Sequence, residues 1–359
     1  MHNASRIDLL LRTLQLGAAR PDDVDELLPL LSLVEAEGAE RWLLRRLVEI
    51  GADPDSALVQ GLRSRVRAEA TRTVRQEEEL RRVLALFDQA GIACVLIKGA
   101  ARLVLARTIP YLDARPTRDI DLLLPPGAAP KAWELLRSQG YQVAPVIPPP
   151  GHHHLPGLVG ELRVAVEIHS AVGGTVSPEA SWERLGASAT VERWAGCDVR
   201  IPPPGEVAWH AVVHAIGDGG AGYRLKNLLP VAAIFRSGLA DSNWWPERTS
   251  EVIDRWTGAR VGAAALTRWL NAAGWLGGRE PPGFPFGLRA LLHWETRVTR
   301  ASRWLGRGLV ERALTEAPRV ELGFPPEPSW PGDGWVARSR RRLAAALSRR
   351  CFRLTRTAT

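Results

Sequence analysis

Two aspartates, Asp119 and Asp121, stand two residues apart in the apolar segment Asp119–Leu124. Such a segment is typical of a β-strand, and side chains two residues apart on a strand project from the same face. Two carboxylates this close repel each other unless a cation lies between them. Because carboxylate oxygens are the ligands that Mg²⁺ prefers, the pair predicts a site for Mg²⁺ or Mn²⁺.

A third carboxylate, that of Glu167, lies in the alternating segment Val164–His169. If this segment forms a strand beside that of Asp119 and Asp121, the three acids face one metal cluster. Two divalent cations held by three acids lower the pKa of an attacking hydroxyl and neutralise a leaving pyrophosphate. His169 shares the face of Glu167, and we expect it to brace the acids.

A lysine and a glycine, Lys98 and Gly99, follow the apolar run 92–97 where a helix is predicted to begin. Glycine lets a phosphate approach the backbone, and the first N–H groups of a helix attract anions. The lysine adds a mobile positive charge. Arg115 and Arg118 precede the aspartates and are expected to clamp phosphates as well. These residues predict a nucleotide-binding turn beside the metal site.

These side chains need strands and helices to position them. Hydrophobic periodicity predicts strands over 92–97, 120–124 and 161–169, a hairpin over 191–201, and helices over 100–108 and 131–138. Leucines at helical spacing predict further helices before residue 86, including a long one over 58–87, and again after Pro204. We therefore predict an α+β protein, in which a small mixed sheet is flanked by N- and C-terminal helical regions.

The chain divides into four predicted parts. They are an N-terminal helical region over 1–86, a core over 87–205, a C-terminal helical region over 206–322, and a linker with a basic tail over 323–359. The tail could make weak contacts with nucleic acid or an anionic membrane surface. It could equally dock as an ordinary terminal helix with a solvated basic face.

Composition narrows the kinds of partner and the cellular location expected for the protein. The 359 residues carry a net charge of +8, mostly from arginine, and positive charge attracts phosphate-bearing partners. Arginine bias can also reflect genome composition. The three cysteines are far apart and form no CxxC pair, which favours a reducing, cytoplasmic location over a disulfide framework. No apolar stretch reaches the length of about 18 residues that a membrane span needs, so none is expected.

The ordered motifs resemble the DNA polymerase beta-type nucleotidyltransferase superfamily, in particular a little-characterised bacterial branch with Lys-Gly in place of Gly-Ser. The likeness extends over most of residues 70–275. It rests on the segments Leu96–Ala100, Arg115–Leu124, Gly140-Tyr141, Val166–His169 and Glu206–His214.

This resemblance implies two-metal transfer of a nucleoside monophosphate from a nucleoside triphosphate, ATP among the candidates. Asp119 and Asp121 would bind the metals, with Glu167 as third acid and base for the acceptor, while Lys98 and Gly99 would hold the triphosphate. The implied acceptor is a small molecule, a peptide or RNA.

Other functions fit the same residues. A non-catalytic nucleotide- or RNA-binding protein on the same fold is favoured by the basic charge and by the Lys-Gly turn. A toxin that transfers nucleotides to tRNA is a second alternative. In a third interpretation the acids are merely solvated on an edge strand.

Three further motifs carry less weight. Residues 217–222 match GxGxxG, but the preceding segment is predicted as a helix and not a strand, which argues against dinucleotide binding. His210 and His214 lie four apart without the glutamate of HExxH, so we expect packing, hydrogen bonding or substrate contact, with His214 supporting the site. The run 152–154 contains three histidines and could bind phosphate or metal, but we interpret it as an exposed, incidental run.

Overall fold

The computed structural model describes residues 3–18, 24–112, 117, 119–145, 148, 152–172, 177–217, 225–239, 270 and 272–278. The side chains of 3–5 and 213–217 are outside this description.

Helices occupy the N-terminal part of the chain. They are α1 (Asn3–Leu14), a 3₁₀ segment (Asp25–Leu30), α2 (Leu31–Ala36), α3 (Glu40–Glu49) and α4 (Ala57–Gln89). The Ser56 side chain begins α4 by accepting a hydrogen bond from the Val59 N–H (3.3 Å), which satisfies one of the free donors of the first turn. The long helix predicted over 58–87 is therefore confirmed.

Five strands form one mixed sheet in the spatial order β1-β2-β5-β4-β3. Their bounds are β1 (Val95–Ile97), β2 (Asp119–Leu123), β3 (Gln142–Val143), β4 (Leu158–Val159) and β5 (Ala165–His169). β2 is antiparallel to β1 and parallel to β5, whereas β4 is antiparallel to both β3 and β5. Among the described residues, two helices lie between strands of this sheet in the chain, α5 (Lys98–Leu105) and α6 (Ala129–Ser138).

The C-terminal half of the described chain begins with a short helix and a hairpin. Its elements are α7 (Pro178–Ser181), a π-helical turn (Trp182–Gly186), β6 (Thr190–Trp194), β7 (Cys197–Ile201), α8 (Pro204–Gly217) and α9 (Leu225–Ser237). The hairpin predicted over 191–201 is confirmed, and Ala195 and Gly196 turn it with φ of 47° and 86°. Positive φ at both central residues matches the twist of the strands.

The strand predicted over 161–169 is shorter in the structure and begins at Ala165. Arg163 has a φ of 58°, and this left-handed backbone interrupts the extended chain just before the strand. The two-residue strands β3 and β4 had no prediction, because so short a segment carries no periodicity that distinguishes it from a loop.

The buried apolar residues form one contiguous core. It includes Leu10 of α1, Phe87 of α4, Ile120 of β2 and Leu228 of α9. The α+β class with a small mixed sheet is confirmed, whereas the division into four parts stays a prediction. Among the helices of the described residues, none is both long and apolar enough to cross a bilayer.

Candidate active site

The centre of the sheet brings two of the predicted acids side by side. β2 lies between β1 and β5, and Asp121 is in register with Ile97 on one side and with Glu167 on the other. Asp119 faces Ala165 in the same register. Asp121 is 1% exposed on an internal strand, so the interpretation of the acids as solvated groups on an edge strand is wrong for this residue.

Lys98 stands at the junction where β1 ends and α5 begins. Its φ is 47°, a left-handed backbone that costs a non-glycine residue about 1–3 kcal/mol. The side chain crosses to β2 and β5: its Nζ lies 2.8 Å from Asp121 Oδ1 and 3.9 Å from Glu167 Oε2. The strained turn therefore places the only ammonium group described at this site directly on the two acids.

Gly99 faces the loop before β2. A Cβ at this position would lie 2.5 Å from the Cβ of Thr117, closer than any real contact, so packing alone requires glycine here. The Thr117 hydroxyl donates to the Asp119 carbonyl (2.6 Å) and accepts from the buried Gln76 amide of α4 (2.8 Å). The arrangement ties the start of β2 to the turn that carries Lys98.

His169 binds the same carboxylate as the lysine. Its Nε2 lies 2.9 Å from Asp121 Oδ1 and 3.6 Å from Glu167 Oε2, and the imidazole is fully buried. Since a carboxylate accepts, Nε2 is the donor. The second oxygen, Asp121 Oδ2, is buried and has no hydrogen-bond partner within the described part of the chain. An unpaired buried carboxylate oxygen is costly, and it is one a cation would satisfy.

These contacts shift the ionisation of the cluster. Burial opposes the charge on Asp121, but the Lys98 ammonium and the His169 hydrogen bond outweigh it and hold the pKa well below its usual range. The His169 imidazole, whose Nε2 lies 3.6 Å from Glu167 Oε2, lowers the pKa of Glu167 despite partial burial. Burial also opposes the charge on Lys98, whereas Asp121 raises its pKa. All three groups are therefore charged at neutral pH.

The cluster has ligand atoms of the kind that a metal ion needs. Ligand atoms of Asp121, Glu167 and His169 lie within 4.8 Å of one another. The unpartnered Asp121 Oδ2 and the partly exposed Glu167 (24%) leave oxygen lone pairs available. Asp119, two residues earlier on the same face, acts electrostatically on Lys98. The residues present fit a divalent cation.

Three histidines adjoin this cluster, and the sequence analysis did not predict that proximity. The run 152–154 was expected to be exposed, but each imidazole is partly buried and the three rings are 4.0 to 5.1 Å apart. His153 and His154 also approach the His169 ring at 5.3 and 5.1 Å. Burial, together with neighbouring imidazoles, lowers the pKa of His152 and brings that of His153 to about 3. The interpretation as an exposed run was wrong, because pairing with β5 draws the segment onto the sheet.

A second feature that sequence reasoning missed is the polar side of α4. Glu79 is 1% exposed and accepts a hydrogen bond from the Tyr141 hydroxyl after α6. Gln76, one turn earlier, donates a hydrogen bond to the Thr117 hydroxyl. A glutamine and a glutamate among many charged residues of an amphipathic helix carry no signal that they are buried.

Several predicted residues lie outside the described structure. Arg115 and Arg118 are among them, as are the side chain of His214 and residues 218–222 of the glycine-rich motif 217–222. The segment before it is helix α8, as predicted, so the GxGxxG match lacks the preceding strand that dinucleotide binding requires. The basic tail also lies outside the described residues.

Comparison with known proteins agrees with this architecture. Residues 23–260 match the family described as uncharacterised nucleotidyltransferase. The match covers about two thirds of the chain and includes every described residue of the acidic cluster, so this protein belongs to that nucleotidyltransferase family. No curated protein matches the chain.

Proposed function

We propose that the protein transfers a nucleoside monophosphate from a nucleoside triphosphate to an acceptor hydroxyl or phosphate, by the chemistry of the DNA polymerase beta-type superfamily that its motifs resemble. One observation carries the proposal: Asp121 and Glu167 are paired on adjacent parallel strands beside Lys98, and Asp121 Oδ2 has no partner among the described residues. The family assignment supplies the reaction class.

The charge of the cluster supports cation binding. Asp119, Asp121 and Glu167 contribute three negative charges, and Lys98 neutralises one of them. The remaining carboxylate oxygens suit Mg²⁺, or Mn²⁺, which binds one or two carboxylates together with substrate phosphates. When bound, such cations polarise the phosphates and stabilise the charge that develops on the attacking and leaving oxygens.

Lys98 is the proposed contact to the triphosphate. Its side chain is 21% exposed, on a flexible stem, at the first turn of α5, which has no side-chain N-cap. A phosphate at this helix end would lie within reach of the ammonium. We propose that Arg115 and Arg118, in the loop before β2, complete the phosphate contacts, and that Gly99 lets the turn pack closely.

The transfer itself exchanges one phosphorus–oxygen bond for another. The acceptor oxygen bonds to the α-phosphorus, the bond from that phosphorus to the bridging oxygen of the β-phosphate breaks, and pyrophosphate leaves. Glu167 is the proposed acceptor of the hydroxyl proton, because it is 24% exposed whereas Asp121 is 1% exposed. His169 keeps the Asp121 carboxylate oriented, and His214 is proposed to support the site from α8.

The acceptor is proposed to bind between the sheet and the helices that follow residue 205. α8 packs against α5, whose first turn carries Lys98, which supports this placement. A small molecule, a peptide or RNA fits this placement, and the basic tail would add contacts to RNA. The free thiols of Cys94 and Cys197 support a reducing, cytoplasmic setting.

Transfer of label tests the proposal. The full-length protein is incubated with Mg²⁺ and each α-³²P-labelled nucleoside triphosphate, with and without cell extract, and label is followed on protein, RNA and small molecules. The double variant Asp119→Asn, Asp121→Asn should lose metal-dependent transfer. Glu192→Gln, which removes an exposed carboxylate of β6, is the matched control and should keep it.

The same variants separate the alternative functions. A non-catalytic binding protein would bind nucleotide without releasing pyrophosphate, and the double variant would largely keep that affinity. A tRNA-modifying toxin would place the label on tRNA and slow growth on expression, and the double variant would relieve that effect. If the protein binds none of the nucleoside triphosphates under these conditions, the proposal is refuted.

A further inference from the structure

Three consecutive histidines gather beside the acidic cluster without belonging to it. Ligand nitrogens of His152, His153 and His154 lie within 4.8 Å of one another. His154 Nε2 also lies 3.8 Å from Glu167 Oε2, so the two clusters meet at that carboxylate. Nothing in the proposed transfer reaction uses these imidazoles.

The backbone holds this segment in place. The Leu155 N–H donates to the Ile168 carbonyl (3.0 Å), and the Ser170 N–H donates to the His153 carbonyl (3.0 Å). His154 pairs with His169 as an antiparallel bridge. Backbone contacts therefore tie His153 and His154 to β5 and the residues just after it, and their imidazoles are positioned before any ligand arrives.

Two of the imidazoles have nitrogen atoms available as ligands. His154 Nδ1 lies 2.7 Å from the Leu155 carbonyl, which can only accept, so Nδ1 carries a proton and Nε2, 3.8 Å from Glu167 Oε2, is the nitrogen that a metal ion would bind. A hydrogen bond from the other ring nitrogen to a carbonyl is how metal-binding histidines are commonly oriented. His152 Nδ1 is buried and has no hydrogen-bond partner in the described ranges.

We propose that His152, His153 and His154 bind one transition-metal ion of the Zn²⁺ class, with Glu167 as a ligand shared with the acidic cluster. Imidazole nitrogens suit Zn²⁺, whereas Mg²⁺ prefers oxygen, so this site and the carboxylate site would select different cations. Tetrahedral ligands about 2.0–2.1 Å from zinc are about 3.3 Å apart. The histidine nitrogens lie within 4.8 Å of one another, so each pair has to approach by at most about 1.5 Å to reach that spacing.

The proposal goes beyond the transfer reaction and does not depend on it. A cation held by the three histidines lies next to Glu167, the proposed proton acceptor. Occupation of the histidine site would therefore change the charge that the acidic cluster presents. Zinc binding can be measured whether or not the protein transfers nucleotides.

Competition for zinc against a chromophoric chelator tests the site, with the full-length protein free of any histidine tag. The wild type should bind one equivalent of zinc. The triple variant His152→Gln, His153→Gln, His154→Gln should lose this binding. Glu167→Gln should weaken binding by at least about tenfold. His293→Gln, which removes a histidine remote in sequence from this run, is the matched control and should leave the affinity unchanged.

Circular dichroism and thermal transitions check that each variant folds, and the single variant His152→Gln provides a milder change at a partly exposed position. X-ray absorption at the zinc edge should count three imidazole ligands in the wild type. Equal zinc affinity of the wild type and the triple variant would overturn the proposal. So would zinc binding that survives in the triple variant but disappears in Asp121→Asn, since the metal would then belong to the acidic cluster.

Discussion

Replacing Lys98 by methionine removes the cation that compensates the buried Asp121 carboxylate. At 2.8 Å the pair attracts by about 6 kcal/mol at an effective dielectric constant of about 20, before desolvation is counted. The substitution also recovers the desolvation of a partly exposed lysine, and His169 keeps its hydrogen bond. We therefore expect a net loss of about 2–3 kcal/mol, below the usual range for breaking a buried pair.

Lys98→Gly separates the effect of the strained backbone from the effect of the lost charge. It removes the same ammonium but relieves the positive φ of 47°, which should make it about 1 kcal/mol more stable than Lys98→Met. Lys131→Met is the matched control on an exposed face of α6, expected within about 0.5 kcal/mol of wild type.

Urea denaturation at pH 7.5 with EDTA, followed by circular dichroism, measures these differences. The pKa of Asp121 is depressed, so its contribution is present above the unfolded-state value of 3.8 and is lost as the pH falls below it. The reasoning is refuted if Lys98→Met is as stable as wild type at pH 7.5, or if the glycine variant is the less stable of the two.

Three further predictions follow from single residues. His169→Gln should lower the kcat/KM of nucleotidyl transfer about tenfold by loosening Asp121, measured as pyrophosphate release, with the far-UV spectrum unchanged. Gly99→Ala should destabilise the protein by about 1–3 kcal/mol through overpacking, whereas Gly274→Ala, where a Cβ meets no atom within 4 Å, should not; equal midpoints in urea would contradict this. Glu40→Gln should raise the stability above pH 7 and leave it nearly unchanged at pH 4, as measured by thermal melts across that range.

The sign of the Glu40 effect follows from its surroundings. Burial, and then the negative charges of Glu69 and Glu35, raises its pKa from 4.5 to about 7. A raised carboxyl pKa means that the folded protein holds the proton of Glu40 more tightly. The contribution of Glu40 to stability is therefore greatest below pH 4.5 and is lost as the pH rises to about 7. The full shift corresponds to about 3 kcal/mol as an upper bound, which solvent screening reduces. A Glu40→Gln variant whose stability relative to the wild type does not rise between pH 4 and pH 8 would contradict the assignment.

Local pattern was sufficient for the main elements. The long helix, the strand of Asp119 and Asp121, the strand of Glu167 and the hairpin all follow from periodicities of 3.6 and 2, because each buries one face or one stripe of apolar side chains. The ends were less accurate, as at Ala165, where a single left-handed residue sets the limit of the strand.

Tertiary structure decided which polar residues meet. Gln76 and Glu79 look like solvated positions of a charged helix, yet they contact Thr117 and Tyr141 because α4 packs across the sheet. In the sequence the three histidines belong to a predicted proline-rich loop. In the structure, backbone pairing with β5 places them beside His169. Contacts between segments far apart in sequence leave no periodic trace in either segment.

The amino-acid sequence by itself determined the chemistry available to this protein: which strands carry carboxylates, on which face, and where a lysine and glycine interrupt an apolar run. The pairing of Asp121 with Glu167, and the position of Lys98 across both, came only from the folded chain. The physical reason is that side-chain alternation is a property of each strand alone. Strand order and register depend instead on how the whole core packs.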